Sequence, residues 1–253
     1  MRVLSYNIHK GIGGRDRLYR LQRIIDVVAR EEPDFICLQE VDRNVRRSAY
    51  HDQPERLAEA WGMPHRLYQM NYRVQQGGYG NLLLSRWPFL ETHQASLTLR
   101  QSKPRAAQWA VVATPSGWLR LVNWHLGLLE QERLWQARRL LEHHKFRNQP
   151  ELATLIIGDT NDWRNTLAGG PFAVHGYHQL TAPPSRFRSF PAYLPMGSLD
   201  KAFATSGVQV SRCHVAQHRL ARDASDHLPL VIDFGLLPPL PRQSLPMAPI
   251  STP

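Results

Sequence analysis

Two apolar runs of strand length constrain the chain most: Phe35-Ile36-Cys37-Leu38, which closes on Gln39-Glu40, and Leu152 to Ile157, which closes on Gly158-Asp159. Short continuous apolar runs of this kind read as strands buried on both faces. Polar groups at their ends fall where open α/β sheets carry their sites, outside the carboxyl ends of the strands. The fold must therefore cover both faces of at least two strands and still leave their ends accessible.

The segments between these runs supply the cover. Residues 2–8 read as a first strand, and Leu18, Leu21, Ile25 and Val28 recur at helical spacing within a helix expected over 17–31, which Pro33 ends. A short helix is expected over Pro54–Trp61, with proline in its first turn. Strand-like runs at His65–Met70, Tyr79–Ser85, Ala107–Thr114 and Trp118–His125 follow one another with only Gly, Pro and Ser between them, which implies antiparallel pairing. A second helix is expected over Glu130–Phe146, with Leu134, Ala137, Leu140 and Leu141 as its apolar stripe. Further strands are expected near Leu199–Thr205 and Leu228–Phe234. Helices outside and mixed sheets inside make a layered α/β sandwich. No fixed-period repeat is present, although each half opens strand-helix-strand, as an old duplication would leave it. The sequence divides into one domain over 1–235 and a Pro-rich, aperiodic tail over 236–253 whose composition predicts disorder.

Composition narrows the partners. Lys plus Arg number 31 against 21 Asp plus Glu, a formal charge of +10. That balance suits nucleic acid, anionic lipid or soluble phosphate esters without choosing among them, and an ordinary basic surface is the plain alternative. The two cysteines, Cys37 and Cys213, have no metal-type spacing and suggest no disulfide framework. No apolar stretch approaches the roughly 20 residues of a spanning helix, and the opening residues lack an apolar signal core. Cytoplasmic residence, with peripheral membrane contact as an option, is the expectation.

Taken singly, the polar residues at strand ends have ordinary explanations: Asn7 as a turn cap, Glu40 as a surface carboxylate, His125 as a core histidine. Their order changes the reading. Tyr6-Asn7-Ile8-His9, Leu38-Gln39-Glu40-Val41-Asp42, Asn123-Trp124-His125, Gly158-Asp159-Thr160-Asn161-Asp162, Ser198-Leu199-Asp200 and Ser225-Asp226-His227-Leu228-Pro229 follow one another along residues 2 to about 234. In that order they resemble the endonuclease/exonuclease/phosphatase superfamily with its DNase I-like fold. The openings Asn7-Ile8-His9-Lys10-Gly11 and Gly77-Gly78-Tyr79-Gly80-Asn81 resemble a bacterial branch of it.

The resemblance implies a four-layer α/β sandwich of two packed mixed sheets flanked by helices, and a phosphoester hydrolase dependent on Mg²⁺, with Mn²⁺ as an alternative. It implies Glu40, Asn7 and Asp226 as metal-side residues. Asp159 and Asn161 would handle water and phosphate, His227 would face the phosphoryl group, Asp200 would orient that histidine, and His125 would be a second phosphate-facing group. His9 and Asn81, from the branch motifs, are expected to bind substrate. Thr160, and the polar Lys201 after Asp200, depart from the usual pattern.

The chemistry suits these residue types. A phosphodiester shields its phosphorus with negative oxygens, so a hydrolase must neutralise charge, place water in line and stabilise the leaving oxygen. Hard Mg²⁺ takes carboxylates and waters. Either Asp159 or His227 could take the proton from water, and Asp159 is favoured. For the substrate, a nuclease is the leading expectation, from the charge and the Arg186-Phe187-Arg188-Ser189-Phe190 and Arg66-Leu67-Tyr68 segments, with Arg186 and Arg188 on phosphates. The plain alternative has Phe187 and Phe190 anchoring a loop. Lipid headgroups or small phosphate esters are the second substrate class, and a scaffold without catalysis is a remote third.

Overall fold

The structure, a computed structural model, describes residues 1–237; most of the Pro-rich tail lies outside the described residues. The chain begins with β1 (Arg2–Asn7), α1 (Leu21–Glu31), β2 (Phe35–Arg43), α2 (Gln53–Ala60), β3 (His65–Val74) and β4 (Gly77–Ser85). It continues through β5 (Phe89–Ser96), β6 (Ala106–Thr114), β7 (Gly117–His125), α3 (Glu130–Leu141), α4 (His144–Arg147) and β8 (Ala153–Asp159). The last elements are α5 (Pro171–Val174), β9 (His178–Gln179), β10 (Asp200–Ala204), β11 (Val208–Val215), α6 (Arg219–Ala224) and β12 (Leu230–Leu236).

These strands form two six-stranded sheets, ordered β11-β12-β1-β2-β4-β3 and β5-β6-β7-β8-β10-β9. Each sheet has one parallel pair, β1 with β2 and β7 with β8, and every other pairing is antiparallel. A helix crosses over each parallel pair, α1 in the first sheet and α3 in the second, as parallel neighbours require. Pairing sense thus repeats strand for strand from one sheet to the other. One apolar cluster joins the inner faces, from Leu38, Leu82 and Leu84 to Leu121, Leu155 and Ile157, and continues under α1 through Ile24, Val27 and Val28. A second packs α3 and α5 on the outer face of the other sheet, where Phe172 stacks on Phe203 at 3.9 Å between ring centroids. The expected four-layer sandwich is the observed one.

Several expected boundaries move, each for a local reason. The first helix starts at Leu21 rather than 17, because residues 11–20 form a loop pinned by an Ile12–Tyr19 bridge and by Arg20 N–H to Gly11 O at 2.8 Å. Leu18, counted in the apolar stripe, lies on that loop and is exposed. The second helix stops at Leu141, and His143 is extended, so that Phe146 on α4 can turn back and meet Trp109 edge-on at 5.7 Å. The strand at Phe35 runs on to Arg43, with Glu40 inside it rather than at its end.

Residues 160–167, which follow β8, are anchored from below. The Asp162 carboxylate, fully buried, accepts from Thr166 N, Thr166 Oγ1 and Leu167 N, each at 3.1 Å, and lies 3.5 Å from the Arg133 guanidinium. Lys201 is buried in the same region, its ammonium donating to Ser198 O at 2.7 Å. Burial pushes its pKa down to about 8, against the opposing pull of Asp162 and Asp200. The polar residue after Asp200 thus belongs to a buried charge cluster that fastens the loop.

Removing Asp162 strands the donors and cations gathered round it. Asp162→Ala should cost about 3–5 kcal/mol in urea unfolding. Lys201→Met should be tolerated, because a lysine whose folded pKa is depressed opposes folding while it is charged. Relative to wild type, the Met variant should gain most below about pH 8, and the gain should fade as pH approaches the unfolded lysine pKa of about 10.4. A change that is equal at every pH would refute the depressed lysine pKa.

Candidate active site

Strand register builds the floor. His125 pairs with Asp159 across the parallel β7–β8 ladder, and Asp159 pairs with Asp200 across the antiparallel β8–β10 ladder, so the three form one cross-strand row. In the other sheet Asn7 pairs with Gln39 on β2. Beyond Gln39 the β2–β4 ladder slips between Leu38 and Val41, and Glu40 takes a left-handed φ of 58°. A bulge of this kind re-aims a side chain. This conformation is costly for a residue with a Cβ and tends to persist at functional positions.

The two rows meet. Asn7 Nδ2 donates to Asp159 Oδ2 at 3.0 Å, while Asn161 N–H donates to Asp159 Oδ1 at 2.9 Å. Asn161 is itself left-handed at φ 51° and donates from Nδ2 to Leu126 O at 3.0 Å. Gly158 precedes Asp159 at φ 149°, where a Cβ would lie 2.1 Å from Trp124 O. Only glycine lets β8 approach β7 so closely at the point where Asp159 emerges.

His227 is wedged between the two carboxylates. Its Nδ1 bonds Asp200 Oδ2 at 2.8 Å, and its Nε2 lies 3.6 Å from Asp159 Oδ2. Burial alone would lower its pKa, but the charges of Asp200 and Asp159 prevail and raise it, so the imidazolium persists above the ordinary histidine range. Burial raises Asp159, with Asp200 adding to the effect and His227 opposing it. His125 behaves oppositely. Burial and then Arg105 hold it well below 6.5, hence neutral. Arg105 Nη1 lies 2.7 Å from His125 Nε2 and can only donate, so Nε2 accepts and the ring proton sits on Nδ1. The 3.3 Å approach of His125 Nε2 to Asp159 is therefore not an ion pair.

On the opposite flank, the Glu40 carboxylate pairs with the Lys10 ammonium. Burial would raise its pKa, but the charge of Lys10 prevails and lowers it, so Glu40 is a fixed anion. Lys10, Arg47 and Lys103 all lie over the Tyr79 ring, at 5.5, 5.2 and 5.6 Å from its centroid. Asp226 is placed separately, with Oδ2 3.9 Å from His9 Nε2 and its backbone beside Gly14. Among the described residues no three Asp, Glu, His or Cys side chains cluster as ligands of one ion. The donors on offer are the oxygens of Glu40, Asn7 and Asp226, with a cation already drawn to Glu40 in the form of Lys10. Such a set suits a hard divalent ion that keeps most of its waters.

The structure therefore brings Asn7, His125, Asp159, Asn161, Asp200 and His227 into direct contact, with Glu40 next to Gln39, the register partner of Asn7. Asp226 and His9 form a neighbouring pair. Asn81 is not part of the group. It is fully buried, and its amide donates to Ala106 O at 3.2 Å, bridging β4 to the other sheet. It binds protein where substrate was expected. Arg186 and Arg188 are exposed outside the constellation, while Phe187 is buried and Phe190 packs on His227 at 4.9 Å. Phe187 and Phe190 thus anchor the loop. Arg66 is engaged by Glu55, and Tyr68 donates to Val41 O at 3.1 Å. Arg105 and Lys10 were assigned no role from sequence. Arg105 stands alone in the Lys103-Pro104-Arg105 approach to β6, and its buried Nε has no protein partner, which leaves a donor for an anion.

Comparison with known proteins shows the family and the fold. The chain is 28% identical over 247 residues to the "Uncharacterized protein YbhP" of Escherichia coli (strain K12), covering 93% of this chain and 96% of that protein. A crystal structure of an endonuclease/exonuclease/phosphatase from Beutenbergia cavernae superposes with TM-score 0.74 at 23% identity, over 93% of this chain and 71% of that one. The mannosyl-6-phosphatase Bt3783 of Bacteroides thetaiotaomicron superposes at 0.69 with 19% identity, over 92% and 99%. Humanized D. rerio TDP2 does so at 0.70 with 21% identity, over 93% and 98%. The family model described as "Endonuclease/Exonuclease/phosphatase family" matches residues 4–227, and the chain belongs to that family.

Proposed function

We propose that this protein is a divalent-metal-dependent phosphoester hydrolase, acting on a phosphodiester by in-line attack of water. The observation that carries the reading is the Asp200–His227–Asp159 line, in which a buried imidazolium is held between two carboxylates, one fixed by two amide donors. A protonated histidine is a donor to phosphoryl oxygen and a poor base, so the geometry favours Asp159 as the group that takes a proton from water. Asn7 and Asn161 N–H hold that carboxylate in place. Asp200 fixes the ring orientation of His227 and stabilises its charge. Arg105 offers its Nε–H to the phosphate. Glu40, Asn7 and Asp226 would hold Mg²⁺ or Mn²⁺, whose positive charge would offset that of the phosphoryl oxygens.

Glu40→Ala, Asp159→Asn and His227→Ala should each lower turnover of an activated phosphodiester by about 10²-fold or more with Mg²⁺ present, while far-ultraviolet circular dichroism stays native. Full activity in His227→Ala would refute the mechanism.

Asp200→Asn should remove the charge that keeps His227 protonated. Because the folded pKa of His227 is raised, its contribution to stability is complete below the unfolded value of about 6.5 and is lost as pH climbs through the folded value. In metal-free protein the stability gap between wild type and Asp200→Asn should be about 2 kcal/mol below that pH and should narrow steadily in alkali. Urea unfolding across pH reads this directly, and a gap that widens with pH would exclude the pairing.

A further inference from the structure

Among the described residues, six of the thirteen exposed large apolar side chains lie on three loops at the mouth of the site: Leu128, Leu129, Trp163, Tyr193, Leu194 and Met196, each between 51% and 71% exposed. The loops are contiguous. Arg133 joins the first two by donating to Leu128 O at 2.6 Å while lying 3.5 Å from Asp162. Trp163 joins the second to the third, since its ring lies over Gly197 and meets Phe190 edge-on at 6.0 Å. Phe190 touches His227, and Ala192 N–H donates to Asp226 O at 2.7 Å. The apolar lip is therefore continuous with the reacting centre.

Its surroundings are basic. Arg15, Arg219 and Arg222 line a groove with Tyr193, accompanied by Asp223, and Arg164 follows Trp163, exposed. Resting on the hydrolase reading above, we propose that this lip docks on an anionic lipid surface and that the substrate is a phosphodiester of an amphiphile presented there. Leucine and methionine make no hydrogen bonds to base edges, and interfaces with nucleic acid are predominantly polar and cationic. At a bilayer the same set has a place for each member. Aliphatic side chains enter the acyl boundary, tryptophan and tyrosine sit at headgroup level, and arginines meet lipid phosphates. In the reaction, water adds to phosphorus and one P–O ester bond breaks. The products are a phosphate monoester and an alcohol, the departing oxygen gaining a proton.

The test uses full-length protein and vesicles of phosphatidylcholine, alone or mixed with phosphatidylglycerol, in a flotation assay. A variant with Leu128→Ser, Leu129→Ser, Leu194→Ser and Met196→Ser changes only exposed side chains. The mixed vesicles should carry wild-type protein, pure phosphatidylcholine should carry much less, and the variant should bind the mixed vesicles at least about tenfold more weakly. Turnover of water-soluble bis(p-nitrophenyl) phosphate should be unchanged in the variant. Wild type that ignores mixed vesicles overturns the proposal, and so does a variant that binds them as wild type does. A variant that loses affinity for duplex DNA and keeps its affinity for vesicles overturns it in favour of nucleic acid. Vesicle binding without turnover of the soluble ester in either protein would refute the hydrolase reading and leave the docking surface standing.

Discussion

The site depends on a polar bridge between two sheets that otherwise meet through apolar side chains. Gln39 Nε2 donates to Asn123 Oδ1 at 2.8 Å, and Asn123 Nδ2 donates to Leu38 O at 2.9 Å and Leu82 O at 3.0 Å. Apolar packing is tolerant of exchanges and shifts, whereas directional hydrogen bonds in a dry interior admit far fewer arrangements. Gln39 is the register partner of Asn7 and the neighbour of Glu40; Asn123 lies two residues before His125. Pinning Gln39 to Asn123 therefore pins one row of functional groups against the other. The 3.0 Å bond from Asn7 to Asp159 is the next contact above that bridge.

A site assembled this way carries electrostatic strain. Asp159 and Asp200 are register partners, both almost wholly buried, and two such carboxylates repel in a low dielectric. The imidazolium of His227 relieves the repulsion, and its own buried charge is tolerable only because both anions are there. Neutral His125 adds no third charge to the row, because burial and then Arg105 suppress its protonation and Arg105 occupies its Nε2. Each group's protonation state is thus set by burial and by its neighbours, and the arrangement places a carboxylate beside a cationic donor. Glu40 completes the division on the other flank, anionic and held against a cation.

Much of this was legible in sequence because it depends on short local strings. Buried strands announce themselves as apolar runs, and Asp159, Asp200 and His227 sit in compact segments whose order alone suggested the family and the sandwich. What escaped depends on long-range geometry. No local pattern marks the slip in the β2–β4 ladder that turns Glu40 outward. Arg105 becomes a site residue only because β6 lies beside β7. The outer strands β5 and β11 carry Glu91, Thr92, His93 and Ser211, Arg212 on exposed or half-exposed faces, so their alternation is blurred. Asn81 misled for the converse reason. A motif places a residue along the chain, but only the packing of β4 against β6 says whether its amide faces solvent or the other sheet.

The loops around the site reconcile two demands that ordinarily conflict, since exposed apolar side chains tend to fold inward and collapse the segment that carries them. Here each loop is held by inward polar anchors that leave no room for such collapse. Asp162 accepts three hydrogen bonds beneath Trp163. Ser189 N–H donates to Gly197 O at 2.8 Å and Leu228 N–H to Ser189 O at 2.8 Å, closing the base of the loop that bears Leu194 and Met196. The Ser189 hydroxyl also accepts from Asp200 N–H at 3.3 Å. The anchors that orient Asp200 and His227 are thus the ones that hold the apolar lip outward. An amphiphile reaching the lip would meet the reacting groups in a geometry already set, without rearrangement of the loops that receive it.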